Sequence, residues 1–261
     1  MQRENIVAAK VWKLTAGMLA GALLFSSCSA QETGTEMPDD LTHQKATEQP
    51  SESAKDPAPS DSAEAELTKA QVVASTGAVM AATLGFPNSR QITAEELKGL
   101  AVAPTDTLKG VVVLPAQCSE PVEELNWSPA QLGTEVARTD FTNEAQNIAG
   151  SIEVAEVKNR EKLEDHYRTV LEIRTECESV KLNGPEYTET LKFSSPGISE
   201  VESQLYYTRT GDSANARESL VLLQSKGDYV VMVSFMSTAS LAEQEFNDVA
   251  KTIMDTATAQ L

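Results

Sequence analysis

Apolar and polar positions alternate through the second half of the chain, with the period of two that strands require. "GTEVARTDF" (133–141) and "GSIEVAEVK" (150–158) read as consecutive strands. "YTETLKF", "SEVESQLYYTRTG", "RESLVLLQS" and "DYVVMVSFM" read as four more. "SKGD" (225–228) joins the last two as a hairpin turn, with Gly227 free to take a positive φ. Helical spacing interrupts this series twice. Residues 159–180, "NREKLEDHYRTVLEIRTECESV", open on the good N-cap Asn159 and place Leu163, Tyr167, Val170, Leu171 and Arg174 at helical intervals, with Cys177 ending the helix. Residues 240–261 start with Ser240 and Glu243 in capping-box spacing. Ala242, Phe246, Val249, Ala250, Ile253, Met254 and Ala257 then form an apolar stripe that reads as core.

Upstream the pattern is less regular. "TAEELKGL" (93–100) reads as a short helix with Thr93 and Glu96 in capping-box spacing. "KGVVVLPAQCSEPVEELNW" (109–127) reads as a strand, then a short helix carrying Cys118, with Trp127 as a core anchor. Residues 67–89 are Ala-rich and ambiguous. A helix there is weakened by Gly77 and several β-branched residues, so the domain is placed at 90–261. No internal repeat is present. The elements add up to an α+β domain, an antiparallel sheet with helices packed on it.

The amino-terminal segment follows a different grammar. Residues 1–13 carry Arg3, Lys10 and Lys13 against Glu4, and a 12-residue run from Leu14 to Phe25 is apolar apart from Thr15. Small residues follow, with Cys28 among them. This is the three-part form of a secretory signal. The run is short of the roughly 20 residues that span a bilayer. "FSSC" resembles the lipobox of bacterial lipoproteins, with Phe25 where that box usually has Leu. The resemblance implies a signal peptide at 1–27 and Cys28 as a multiply acylated mature N-terminus, palmitate being one such acyl chain. It implies a firm anchor, since two lipid signals hold where one does not. Cleavage after Ala30 would instead release a free secreted chain.

Residues 28–66 form a tether. From Ser29 on they contain ten acids, two lysines, four prolines and no aromatic residue. Such a composition buries too little apolar surface to offset ordering entropy, and His43 within it is solvated. As a flexible coil it spans roughly 30–37 Å. The whole chain carries a net charge of −18 across 261 residues, which argues against nucleic acid as a partner.

Three cysteines are present. With Cys28 acylated or removed, Cys118 and Cys177 remain as a pair, and export to an oxidising compartment favours a disulfide between them. The rival is a redox or metal site, for which His166 is the nearest candidate histidine. No cofactor is expected. His166 is also the only histidine available to a catalytic triad in the folded part. It lies mid-helix on a charged stretch, and no Gly-x-Ser-x-Gly elbow or phosphate loop occurs. The chain is therefore expected not to be an enzyme.

The order of parts resembles the PknH-type extracellular sensor domain found on receptor kinases and on many actinobacterial lipoproteins. The features that carry it are an anchored N-terminus, a low-complexity linker, "LPAQCSEP", an alternating strand pair, a helix ending in "TEC", and "GDYVVMVSFMS" before a closing helix. The resemblance implies a twisted antiparallel sheet with a cleft and a ligand-binding role. The PsbP-like fold is a structural cousin and keeps a scaffold role open. The kinase member has two disulfides, whereas this chain has cysteines for one, and no kinase domain is attached. The expectation is a monomeric lipoprotein on the extracytoplasmic face of the cell membrane, binding a small molecule or cell-envelope component. The alternative is a protein interaction module of the envelope, and a hydrolase with an unrecognised site is a third reading. A concave cavity of a few hundred Å³ favours the first and a flat apolar patch the second. Trp127, Tyr206 and Tyr207 are candidate contacts that read first as core.

Overall fold

The computed structural model describes residues 66–211, 217–242 and 244–261. The signal at 1–27, Cys28, the tether to Ala65 and Glu243 of the carboxy-terminal capping box lie outside the described residues.

Among the described residues nine strands form one sheet in which every neighbour is antiparallel, in the order β1-β3-β4-β9-β8-β7-β6-β5-β2. The strands are β1 Asn88–Gln91, β2 Val112–Leu114, β3 Val136–Asn143, β4 Ile148–Glu156, β5 Ser179–Asn183, β6 Thr188–Ser194, β7 Ser203–Gly211, β8 Arg217–Lys226 and β9 Tyr229–Ser237. The helices are α1 Lys69–Thr83, α2 Ala94–Leu100, α3 Ser119–Glu124, α4 Arg160–Glu176 and α5 Gln244–Thr258. The β8–β9 hairpin turns on Gly227 at φ 61°, as its sequence requires.

Because successive side chains on a strand point to opposite faces, each strand feeds two separate cores. On one face α1 and α5 cover Phe141 of β3, Ile152 and Val154 of β4, Leu220 and Leu222 of β8, and Val231, Val233 and Phe235 of β9. Phe86, Phe141 and Phe235 meet with centroids 5.3–5.6 Å apart, and Phe246 of α5 joins them 4.9 Å from Phe235. On the other face α3 and α4 pack over Val180, Leu182, Leu191, Phe193 and Leu205. A smaller cluster beside them contains Leu132, Ala155, Leu163, Leu223 and Met232.

The domain starts earlier than residue 90. α1 is a helix, capped by Thr68: its Oγ1 accepts from Gln71 N at 3.3 Å while Gln71 Oε1 accepts from Thr68 N at 2.9 Å. It buries Ala70, Val73, Ala74, Gly77, Ala78 and Ala81, a stripe of small residues at helical spacing. Gly77, expected to weaken a helix here, is needed by the packing. A Cβ there would stand 2.6 Å from Ile152 Cδ1, so glycine lets α1 lie directly on β4.

Two strands differ from the sequence expectation. β1 is wholly exposed and holds no apolar residue, so only its pairing with β3 defines it. β5 begins at Ser179, just past the helix end at Cys177 that the sequence marks, in a stretch for which no strand is expected. The stripe on α4 also differs. It buries Leu163, His166, Thr169, Val170 and Ile173, while Leu171 is exposed and Tyr167 half-buried. The inward face is rotated toward His166 because α4 packs against both the sheet and α3.

Cys118, at the start of α3, is bonded to Cys177, at the end of α4, with Cα atoms 5.8 Å apart and a sequence separation of 59. Both are buried. Replacing both cysteines by alanine should lower unfolding stability by about 4 kcal/mol on the chain-entropy model, read from denaturant midpoints; a loss below about 1 kcal/mol would mean that packing alone holds α3 to α4.

Candidate functional site

Beside the bridged helices α3 and α4 lies an open cleft of about 520 Å³. One wall is the loop 103–106, the second is the end of α3 with Asn126 and Trp127, and the third is the face of α4 from Lys162 to Thr169. Asn159 Oδ1 accepts from Lys162 N at 3.1 Å and so fixes where α4 begins.

The loop wall is tied down at Thr107. Its N donates to Glu123 Oε1 at 2.8 Å, and its Oγ1 accepts from Asn126 Nδ2 at 3.1 Å. Asp106 beside it holds φ 57°, a left-handed conformation that aspartate tolerates. The segment carrying Trp127 is held from below by the sheet. Glu153 of β4, fully buried, accepts from Ser128 Oγ and from Ala130 N, the latter at 2.9 Å. Arg138 Nη1 lies 3.4 Å from its other oxygen and supplies the countercharge. A buried carboxylate is tolerated only with such partners. Nothing in the sequence pattern singled out Glu153; it is one acid of a strand that alternates cleanly.

His166 forms the floor. Its ring stacks on the indole of Trp127, centroids 4.0 Å apart and planes 12° from parallel. The side chain is 8% exposed, and among the described residues none hydrogen-bonds it. Burial pushes its pKa down from the ordinary 6.5 to about 4, so the ring is neutral near pH 7. One turn further on, Thr169 Oγ1 donates to Glu124 Oε2 at 2.7 Å and joins the two helices across the cleft.

His166 was expected on a solvated, charged stretch of helix. It is buried instead. Trp127 was expected to be a core anchor. It is half-buried, touching the small cluster below while also lining the cleft. Tyr206 and Tyr207 are not at the cleft. Tyr206 packs on the α1–α5 side with its hydroxyl on Glu218, and Tyr207 sits 5.7 Å from Phe193 in the α4 core.

No catalytic triad assembles on His166 among the described residues: Asp165 points to Arg168 at 2.6 Å, and no hydroxyl or thiol bonds the ring. Nor do three or more His, Cys, Asp or Glu side chains among the described residues group as a metal site. Large exposed apolar residues are spread over α1, β2, α4, β9 and loops. Isolated exposed apolar residues of this kind are normal on a protein surface. No helix among the described residues is long and apolar enough to cross a membrane.

No family model matches the sequence, and no curated protein matches it. Among solved structures, a Rv0999 ortholog from Mycobacterium smegmatis aligns at 15% identity with a TM-score of 0.41, over 72% of this chain and 95% of that one. The extracellular domain of PknH from Mycobacterium tuberculosis aligns at 12% identity with a TM-score of 0.38, over 65% and 98%. At such values the functional argument rests on the cleft's own residues.

The buried neutral imidazole has a consequence for stability. Its folded pKa lies below its unfolded one, so the unfolded chain binds more protons between about pH 4 and 6.5, and stability rises with pH across that window. Converting the shift gives about 2 kcal/mol lost at about pH 5 relative to neutrality. His166→Gln should remove most of that slope in urea unfolding at the two pH values; an unchanged slope would place its origin elsewhere.

Proposed function

We propose that this chain is an extracytoplasmic, lipid-anchored binding protein whose cleft between α3 and α4 holds a small molecule or a fragment of a cell-envelope component. Its work is recognition rather than catalysis. The observation that carries the binding part is the 520 Å³ cleft floored by the Trp127–His166 stack. Its volume falls within the range of small-molecule sites, and it combines a few apolar surfaces with convergent polar groups. The walls are held by the disulfide, by Glu153 and by Thr169, so the site exists before a ligand arrives and little ordering cost accompanies binding.

Support for the anchor is confined to the sequence: the signal grammar and Cys28 among small residues. The disulfide is consistent with export to an oxidising compartment.

Two measurements check this reading. Mass spectrometry of the protein extracted from membranes should find an acylated N-terminus at Cys28; an unmodified chain starting at Gln31 in the medium would sink the anchor. Fluorescence provides the second, because of the sequence's two tryptophans, Trp12 and Trp127, the first lies in the signal at 1–27 and leaves with it. In the mature chain the emission of Trp127 should respond to at least one class in a panel of sugars, amino acids, amines and lipid headgroups. Silence across every class would overturn the cleft as a ligand site.

A further inference from the structure

We propose that the cleft recognises an organic cation, a small molecule bearing an N–H-rich ammonium group, through the His166 ring and the carboxylates of Asp106, Glu123 and Glu124. This rests on the reading of the cleft as a ligand site and names the chemistry of its occupant.

The first ground is charge. Four acids and one lysine line the cleft. Asp165 has a countercharge, Arg168 at 2.6 Å. Asp106, Glu123 and Glu124 are in no ion pair among the described residues. The contrast with the rest of the molecule is informative: the fully buried Glu153 and Glu189 each have an arginine within reach, Arg138 and Arg209. Glu123 and Glu124 each accept one hydrogen bond, from Thr107 N and Thr169 Oγ1, which fixes their position and leaves the second carboxylate oxygen open. Three uncompensated carboxylates around one concavity attract a cation and repel an anion.

The second ground is independent of the first. His166 is a polar side chain more than nine-tenths buried, it lines the cleft, and no described residue hydrogen-bonds it. Its ring nitrogens are not among the fully buried side-chain atoms that lack a partner, so the exposure the residue keeps opens them to the cleft. A neutral imidazole offers one bare nitrogen, an acceptor suited to an ammonium N–H. The ring's stacking on Trp127 holds it in place. The carbon skeleton of such a ligand would lie against Ala103, Pro104 and Trp127.

A metal ion fits less well, since these side chains do not group closely enough to hold one among the described residues. A polyatomic cation, whose charge and N–H groups are spread over several ångströms, matches separated acceptors.

The test uses the mature chain from Cys28 and four probes of one shape: phenethylamine, phenethyl alcohol, phenylacetate and the trimethylammonium analogue of the amine. Trp127 emission reports each titration. The amine should bind about tenfold more tightly than the alcohol, with phenylacetate weakest. The trimethylammonium probe, which has no N–H for His166, should bind more weakly than the amine. Asp106 has no side-chain partner to lose, so Asp106→Asn should cut amine affinity about fourfold and leave the alcohol unchanged. Added salt should weaken the amine alone. An alcohol or carboxylate that binds as tightly as the amine overturns the charge assignment and leaves the cleft reading standing. Equal binding of the trimethylammonium probe overturns the role of His166. Calcium chloride alone shifting Trp127 at lower concentration than the amine overturns the proposal in favour of a metal. Silence from all four probes overturns the proposal, while the broader panel separately decides whether the cleft binds anything.

Discussion

The covalent bond between Cys118 and Cys177 sets the geometry on which the rest of this face depends. It ties the first residue before α3 to the residue that ends α4, so two helices far apart in sequence leave a common point. α3 is only six residues long and carries little packing surface of its own, burying Pro121 and Val122. Fastened at one end, it carries Glu124 to Thr169 of α4 and Glu123 to Thr107 beside the loop. The cleft is bounded by this end of α3, the loop 103–106 and the face of α4. Hydrophobic contact with the sheet supports this arrangement from below, through Val170, Ile173 and Val180.

A second anchor works by electrostatics. Glu153 sits at the centre of β4 with no exposure, and its lone pairs are filled by Ser128, Ala130 and Arg138. Breaking such a buried set is costly because the charge stays behind without a partner. The segment from Trp127 to Gln131 is thereby fastened to β4. Strong bonds thus sit behind the cleft, and open acceptors line it. This division of labour, a fixed frame with unsatisfied groups facing outward, suits selective recognition.

Much of this fold is legible in the sequence. The six long strands and α5 follow from simple periodicity, and "SKGD" gives the β8–β9 turn. What escapes has physical causes. β1 has no apolar side chain, so its identity lies in backbone pairing with β3. α1 buries alanines and glycine rather than leucines, and small residues give a weak hydrophobic signal although they permit the closest packing. On α4, Leu171 and Tyr167 suggested one face, whereas contact with both α3 and the sheet selected another that includes His166 and Thr169. The stack that floors the cleft was therefore not visible in advance: Trp127 and His166 lie 39 positions apart and become neighbours only when the disulfide and β4 bring their segments together. Cys28 and the tether belong to a different kind of evidence, in which residue order alone carries the meaning.

The two borders of the sheet have their own significance. One border is β1, four polar residues, with Arg90 bonded to Glu96 of α2 at 2.7 Å and facing Asp140 of β3. The other is β2, three residues long and ended by Pro115, which has no N–H to offer. Open strand borders are templates on which a second chain can grow. Here one is clothed in charge and the other is too short to extend, so a nine-stranded sheet with two free rims still gives a neighbouring copy little to zip onto. Crowded copies of the domain would meet as separate bodies rather than fuse into a continuous ribbon.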